Sequence, residues 1–336
     1  MVTAVEGFRV GHWTDAEAGT GCTVIVAPPE TVAAVDVRGG GPATRETELL
    51  APGASVQHAT ALVFSGGSAF GLDAASGVVR WCEEQGLGHR AGPYVVPIVP
   101  GASIFDLGVT GSARRPGAAE GYAACVAATP GPHAVGSVGA GTGATVGKLR
   151  GSAGWCKGGI GSAARRLPDG ITVSALAVVN AWGDVLDERG EPLAGVVVPP
   201  AGFVGASNRV LELPPEHPRL AAAQLESTTL ACIATDARLA RPEAAQVARM
   251  ASAGLTRAVS PVNTPFDGDA VFCLAAGPRP AGVLAVGVAA AEALAAAIRD
   301  AVRRATPVRG VPTAAQRRLG TAVRHHGDEA STGEAG

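Results

Sequence analysis

Aromatic residues make up only 4% of the 336-residue chain, which leaves little from which to build a base-stacking surface. Charge is also scarce. Asp, Glu, Lys and Arg reach 17% together, against a usual ~25%, and 27 basic against 29 acidic residues leave a net charge of −2. With no basic stripe, nucleic acid is excluded as an expected partner. No apolar run approaches the ~18 residues that a membrane-spanning helix needs, because glycine and charge interrupt each one. The opening MVTAVEGFRVGHW lacks the basic start and apolar centre of a secretory signal, so a cytoplasmic protein without a membrane partner is expected. The six cysteines (Cys22, Cys82, Cys125, Cys156, Cys232 and Cys273) form no CxxC and most sit in apolar runs, which reads as free buried thiols. The seven histidines (His12, His58, His89, His133, His217, His325 and His326) include no HExxH, so no metal and no cofactor are expected.

What the chain has instead is small and apolar. Hydrophobic types make up 47%, and with so little charge to solvate a monomer, part of the exterior is expected to be buried in a homo-oligomer. The 47 glycines and 24 prolines follow no collagen period and signal tight turns and close backbone approaches. A chain of this length buries enough surface to fold without a disulfide or a metal. Short β-branched runs predict strands at Thr20–Ala27, Val32–Arg38, Ala61–Ser65, Tyr94–Val99, Ile171–Asn180, Thr228–Asp236 and Ala270–Ala275. The run ITVSALAVVN lacks clean alternation and reads as a strand buried on both faces. Helices are predicted over Phe70–Glu84, Ala118–Ala128, Arg241–Ala253 and Ala289–Arg304, the third closing at Gly254. This alternation predicts a layered α/β domain. Residues 188–226, rich in Pro, Glu and Ala, read as a long surface linker, and a strand emerges directly after it. From residue 312 onward the chain loses its apolar content and reads as a fraying polar tail.

Several motifs invite chemistry and resist it. GAGTGATVGK (Gly139–Lys148) fails the phosphate-loop pattern, because Thr142 and Leu149 stand where Gly and Ser or Thr are needed. It reads either as a tight glycine loop or as a backbone approach to a ligand with Lys148 projecting into the site. SGGSAFGLD (Ser65–Asp73) approximates a nucleophile elbow but has Phe70 where the second glycine belongs, so Ser68 reads as a helix cap. VRGGGPATRE reads as a glycine turn or as a substrate rim ending in Arg45. FDGDAVF sets Asp267 and Asp269 two apart, which suits either an Asx turn or a carboxylate pair that orients an amine.

Together, GFRVGHWTD, TGCTVIVAP, AVDVRGGGPATRETELL, SGGSAFGLDAASGVVRW, VPIVPGASIFDL, SVGAGTGATVGK and TTLACIATDA resemble the DmpA-type L-aminopeptidase/D-esterase family over roughly residues 5–305. That family also contains β-aminopeptidases and nylon-oligomer (6-aminohexanoate) hydrolases. The resemblance implies a single αββα four-layer sandwich over residues 1–311, made as a precursor that cuts itself into 1–227 and 228–336. It implies an N-terminal-nucleophile mechanism without a cofactor, acting on small peptides, aminoacyl amides or esters. By the same resemblance the cut falls between Ser227 and Thr228, with Thr235 seven residues on selecting Thr228 over Thr229. Lys148 and Asn180 match the family's catalytic lysine and asparagine, and Asp267 and Asp269 match its paired aspartates. Phe105, with Gly66, Gly67 and Ser68, falls where substrate is bound. Phe105 stands where characterised nylon-hydrolase members carry a tyrosine, so one hydroxyl is missing. A tetramer of processed two-chain protomers is implied too. An acyltransferase of the ornithine-acetyltransferase kind, and a nylon-oligomer hydrolase, are the alternative activities.

Overall fold

Successive residues along the central strands point into different cores, and this alternation builds a four-layer molecule. The computed structural model describes residues 1–110, 113–198, 202–214 and 227–319. Two five-stranded sheets carry the architecture. Their strands in chain order are β1 (Arg9–Asp15), β2 (Thr20–Val26), β3 (Val32–Val37), β4 (Ala43–Arg45) and β5 (Ala61–Ser65). Then follow β6 (Gly101–Ser103), β7 (Gly159–Arg166), β8 (Thr172–Asn180), β9 (Thr228–Arg238) and β10 (Ala270–Pro280). The four long helices are α1 (Ala74–Glu84), α2 (Ala118–Val126), α3 (Arg241–Ala258) and α4 (Val283–Arg304). One sheet runs β1-β2-β5-β6-β4 and the other β7-β8-β9-β10-β3.

On β8, Leu176 and Val178 enter the core between the sheets, while Val173, Ala175, Ala177 and Val179 face the core formed with α3 and α4. Strand β9 alternates in the same way, with Leu230 and Cys232 inward and Ala231 and Ile233 toward the helices. On the other sheet, Leu62 and Phe64 of β5 face inward and Ala61 and Val63 face α1 and α2. Phe64 and Phe272 meet across the interface with ring centroids 5.8 Å apart. The order of layers is therefore helix, sheet, sheet, helix, as the αββα reading requires. Each large side chain buried in these cores contributes roughly 1.5–3 kcal/mol.

The expected strands and helices largely recur, and the differences have local causes. Helix α3 continues past Gly254 to Ala258 because that glycine marks a helix crossing and not a stop: a Cβ there would come within 2.5 Å of the Ala291 carbonyl oxygen. Helix α4 starts at Val283, six residues before the expected Ala289. The expected strand Tyr94–Val99 is only an exposed hairpin arm, Tyr94–Val96 against His89–Ala91. Pro97 and Pro100 have no N–H to extend its ladder. Strands β1 and β7 were not anticipated. β7 reads GIGSAARR because α4 lies directly on it, so that a Cβ on Gly161 would sit 2.0 Å from the Ala297 carbonyl oxygen.

The expected linker is largely structured where it is described. Pro192–Ala194, Val197–Val198 and Gly202–Phe203 are short strands, and Ala206–Glu212 is a helix. Buried Asp184 holds this segment by accepting the N–H groups of Val196 at 2.7 Å and Ala206 at 2.5 Å. Residues 215–226 lie outside the described residues. The expected tail is docked at its start: residues 314–319 are helical, and Arg317 donates to the Trp155 carbonyl at 3.1 Å. Residues 320–336 lie outside the description. All six cysteines are free and buried. Among the described residues no helix is long and apolar enough to cross a membrane.

One buried group gives the fold a pH limit. His12, edge-on to His133 with ring centroids 5.9 Å apart, is pulled down to about 4, first by burial and then by the His133 charge. Its folded value lies below the unfolded value of ~6.5, so the unfolded chain binds the extra proton first. The stability from neutral His12 is full above pH ~6.5 and is lost as the pH falls toward 4. Thermal melts should show Tm dropping between pH 7 and pH 4.5, with a smaller drop in His12→Asn; equal drops in both would place the acid sensitivity elsewhere.

Candidate active site

Strand pairing brings the predicted residues together. β8 and β9 are antiparallel, and their register sets Asn180, the last residue of one, opposite Thr228, the first of the other. Both positions are in phase with the inward-facing residues of their strands, so both belong to the rim of the inter-sheet core. Thr229 falls on the opposite phase, paired with Val179. The alternation therefore favours Thr228 over Thr229 as the hydroxyl aimed between the sheets.

The glycine-rich loop delivers the lysine. Gly147 takes φ +74°, and a Cβ there would lie 2.3 Å from the Gly195 carbonyl carbon, so only glycine fits. Its N–H bonds the Gly183 carbonyl at 3.0 Å, the next N–H bonds the Trp182 carbonyl at 2.9 Å, and Lys148 is thereby turned inward. Lys148 Nζ donates to the Asn180 carbonyl at 3.1 Å and to Asn180 Oδ1 at 2.9 Å. The Thr145 N–H also donates to Oδ1, at 3.0 Å, while Asn180 Nδ2 donates to the Phe105 carbonyl at 3.1 Å. Donors on one side and an acceptor on the other assign the amide's orientation. The glycines of this loop are spent on protein backbone: a Cβ on Gly141 would meet Ile160 N at 2.5 Å and one on Gly143 the Gly19 carbonyl at 2.4 Å.

The two aspartates approach from β10. Asp267 accepts from Thr264 Oγ1 at 2.6 Å and the Thr264 N–H at 2.9 Å, a local turn interaction. Asp269 reaches across to the Thr229 N–H at 2.6 Å and also takes the Asn263 N–H at 3.0 Å. The turn contact belongs to Asp267, whereas Asp269 takes backbone N–H groups from β9 and from the segment before β10. The VRGGG turn cradles them: the Gly41 N–H bonds the Asp267 carbonyl at 2.9 Å, and a Cβ on Gly39 would strike the Asp267 carbonyl oxygen at 2.3 Å. Burial raises the Asp267 carboxyl, opposed by its Thr264 hydrogen bonds and the Lys148 charge. Asp269 is also raised, first by burial and then by the charge of Asp267. Two carboxylates in one dry site each make the other harder to ionise.

The Ser227–Thr228 peptide lies at the centre. Ser227 pairs in parallel with Asp267, and its carbonyl oxygen accepts the Gly268 N–H at 2.8 Å and the Thr228 hydroxyl at 2.5 Å. Ser227, Thr228 and Asn180 are all buried. Phe105 lines a small cavity with Thr145, Lys148 and Trp155. Gly66 and Gly67 lie one step further out and are tied to the residue after Phe105: the Gly67 N–H donates to Asp106 Oδ1 at 2.7 Å. Ser68 is not a side-chain cap. It adopts φ +55° at the head of a 3₁₀ turn whose N-cap, Gly67, makes no side-chain bond. Sequence reasoning missed Gly268, Thr145, Asp106 and Lys157. An isolated lysine in the glycine-rich run WCKGGI was the one visible signal for the last. No group of three or more His, Cys, Asp or Glu side chains that could hold a metal occurs among the described residues.

The sandwich of two helix-covered sheets is the N-terminal-nucleophile hydrolase fold in its DmpA-type form, which solved structures share. The chain is similar to a Burkholderia sp. β-aminopeptidase with a TM-score of 0.68 at 26% identity, covering 96% of this chain and 93% of that one. It shares the fold of the L-aminopeptidase D-Ala-esterase/amidase from Ochrobactrum anthropi at a TM-score of 0.68 and 19% identity, over 97% and 94% of the two chains. Residues 1–315 match the profile of Peptidase family S58, and the chain belongs to that family of hydrolases. Among curated relatives, an uncharacterized aminopeptidase of Mycobacterium tuberculosis is 46% identical over 93% of this chain and 96% of its own length. A 6-aminohexanoate-oligomer endohydrolase of Kocuria sp. is 32% identical over 80% and 72% respectively.

Gly268 offers a test of the geometry at the peptide. A Cβ there would lie 2.9 Å from Thr228 Oγ1 and 3.0 Å from the Gly41 carbonyl oxygen, too close without a shift of the loop that carries the donor N–H. Gly268→Ala is expected to slow any cleavage at this peptide at least about tenfold, since displacements under 1 Å at a reacting centre carry such costs. The half-time of precursor loss, followed by gel electrophoresis, checks it, and an unchanged half-time would contradict the tight approach.

Proposed function

We propose that this chain is a self-processing aminopeptidase or amidohydrolase whose nucleophile is Thr228, freed as an N-terminal residue by cleavage of the Ser227–Thr228 bond. The observation that carries the reading is the Ser227 carbonyl, which accepts both the Thr228 hydroxyl at 2.5 Å and the Gly268 N–H at 2.8 Å. In the precursor, Thr228 Oγ attacks the Ser227 carbonyl carbon. The Gly268 N–H meets the oxygen that becomes negative, as an oxyanion donor must. The C–N bond breaks, the Thr228 nitrogen takes a proton, and the acyl group rests on Oγ as an ester. Water then hydrolyses that ester, giving a carboxylate at Ser227 and a free amine at Thr228.

The new amine, with a reference pKa of ~7.7–8.0, is neutral in a useful fraction near pH 7 and serves as the base for its own hydroxyl. Lys148 disfavours a second positive charge on that amine. Asp269, bonded to the Thr229 N–H, and Asp267 set the position of the residues around it and offset the charge of Lys148. Attack on a substrate amide or ester gives an acyl-Thr228 intermediate, released by water. Asn180, oriented by Lys148, Thr145 and Phe105, stabilises the oxyanion, a role worth ~2.7–4 kcal/mol per donor. Small peptides and aminoacyl amides or esters are the substrate class. The 6-aminohexanoate-oligomer relatives keep linear ω-aminoacyl amides as a second class, with Phe105 supplying an apolar wall and no hydroxyl. The working unit is an oligomer of two-chain protomers in the cytoplasm, with no cofactor, nucleic acid or membrane.

Three substitutions test this reading. Thr228→Ala should remain a full-length, inactive chain. Thr228→Ser should mature and retain activity, because both reactions need only a hydroxyl at that carbon. Thr229→Ala should mature normally. Band pattern and release of amine from an aminoacyl p-nitroanilide are the readouts. Cleavage blocked by Thr229→Ala and not by Thr228→Ala would move the nucleophile by one residue, and transfer to an amine acceptor in preference to water would make the enzyme an acyltransferase.

A further inference from the structure

The most deeply buried cation of the described chain takes no part in the chemistry above. Lys157 is fully buried. Its ammonium donates to the carbonyls of Gly141 at 2.9 Å, Ala144 at 2.7 Å and Gly158 at 3.3 Å. Three acceptors around one nitrogen match the three N–H groups of an ammonium. A buried charge of this kind is costly unless it is fully hydrogen-bonded, and the same backbone would be served more cheaply by an apolar side chain if only packing were needed. Burial pulls the group down to about 7, and the Asp106 charge acts in the opposite direction.

What the ammonium holds is the approach to Asn180. Gly141 and Ala144 belong to the loop that ends at Thr145, and Thr145 is the ladder partner of Lys157 itself. The Gly158 N–H closes the same loop on the Ala144 carbonyl at 2.8 Å. The Thr145 N–H then fixes Asn180 Oδ1 at 3.0 Å. Asp106 does the same work from the other side. Its carboxylate accepts from Thr20 Oγ1 at 2.6 Å and the Gly67 N–H at 2.7 Å. It lies against the middle of the Lys157-held loop, where a Cβ on Gly143 would be 2.5 Å from Asp106 Cβ and 2.8 Å from its Oδ2. The preceding residue, Phe105, gives the carbonyl that accepts Asn180 Nδ2.

We infer that Lys157 and Asp106 are positioning residues for the reaction, a buried pair of opposite charge that acts through Thr145 and Phe105 to lock the orientation of the Asn180 amide. A primary amide is nearly symmetric in shape, so only its hydrogen bonds decide which end faces the reacting carbonyl. With the amide turned over, an acceptor would meet a developing negative charge. The inference rests on the reading of Asn180 as the oxyanion donor.

A double-mutant cycle separates positioning from general structural support. Lys157→Met and Asp106→Asn are each made alone and in the Asn180→Ala background, and kcat and KM are measured on processed enzyme with an aminoacyl p-nitroanilide. Each single variant should lose about 10–100-fold in kcat with KM within about twofold, as for an interaction made only in the transition state. In the Asn180→Ala background each should cost less than about twofold further. Equal losses in both backgrounds, or a lowered Tm with unchanged kcat, would overturn the inference while leaving Asn180 in its role. Wild-type kcat in Asn180→Ala alone would instead refute the oxyanion reading underneath it. Failure of both charge variants to yield folded, processed protein would assign the pair to the scaffold and also overturn it.

Discussion

The antiparallel register between β8 and β9 sets Asn180 opposite Thr228, and the arrangement of the site follows from it. Because side chains alternate, the register that sends Leu176, Val178, Leu230 and Cys232 into the inter-sheet core also sends Asn180 and Thr228 toward the same rim. A slip of one residue would turn Thr229 inward and expose the apolar face of the strand to the wrong layer. Packing energy spread over two sheets therefore fixes the position of one hydroxyl. Neighbouring β10 runs parallel to β9 and brings Asp269 to the Thr229 N–H and Gly268 to the Ser227 carbonyl.

Around that register the protein buries an unusual number of charges for a chain with so few. Lys148, Lys157, Asp106, Asp184, Asp267 and Asp269 are all buried. Backbone N–H and carbonyl groups meet each of them, joined by the Asn180 amide at Lys148 and by threonine hydroxyls at Asp106 and Asp267. Asp184 is pushed up to about 6 by burial against the pull of two N–H groups, so its charge is only just sustained.

The sequence allowed the layered α/β class, the central strands and the residues now found together to be read in advance, for identifiable reasons. Strands β8 and β9 are rich in apolar residues because both of their faces are covered, and one resemblance block ended at Lys148 while another began at Thr228. The cradle was not legible. β7 escaped notice because a helix crosses its glycines, and Gly254 imitated a helix stop for the same reason. Asp106 and Lys157 each depend on backbone partners, several of them far away in sequence, that no local pattern encodes. The stretch 188–214 looked like linker because its buried residues among those described, Ala194, Gly195, Val196, Val197 and Ala206, form one short cluster and one isolated position and show no period.

The central claim is that Thr228 becomes an N-terminus, and the most direct measurement is the N-terminal sequence of the smaller fragment of active, purified enzyme. The account requires two fragments, 1–227 and 228–336, with the smaller one reading TTLACIATDA from its first cycle. Fully active protein that remains a single chain of 33.2 kDa, or a fragment that starts at any other residue, would contradict it.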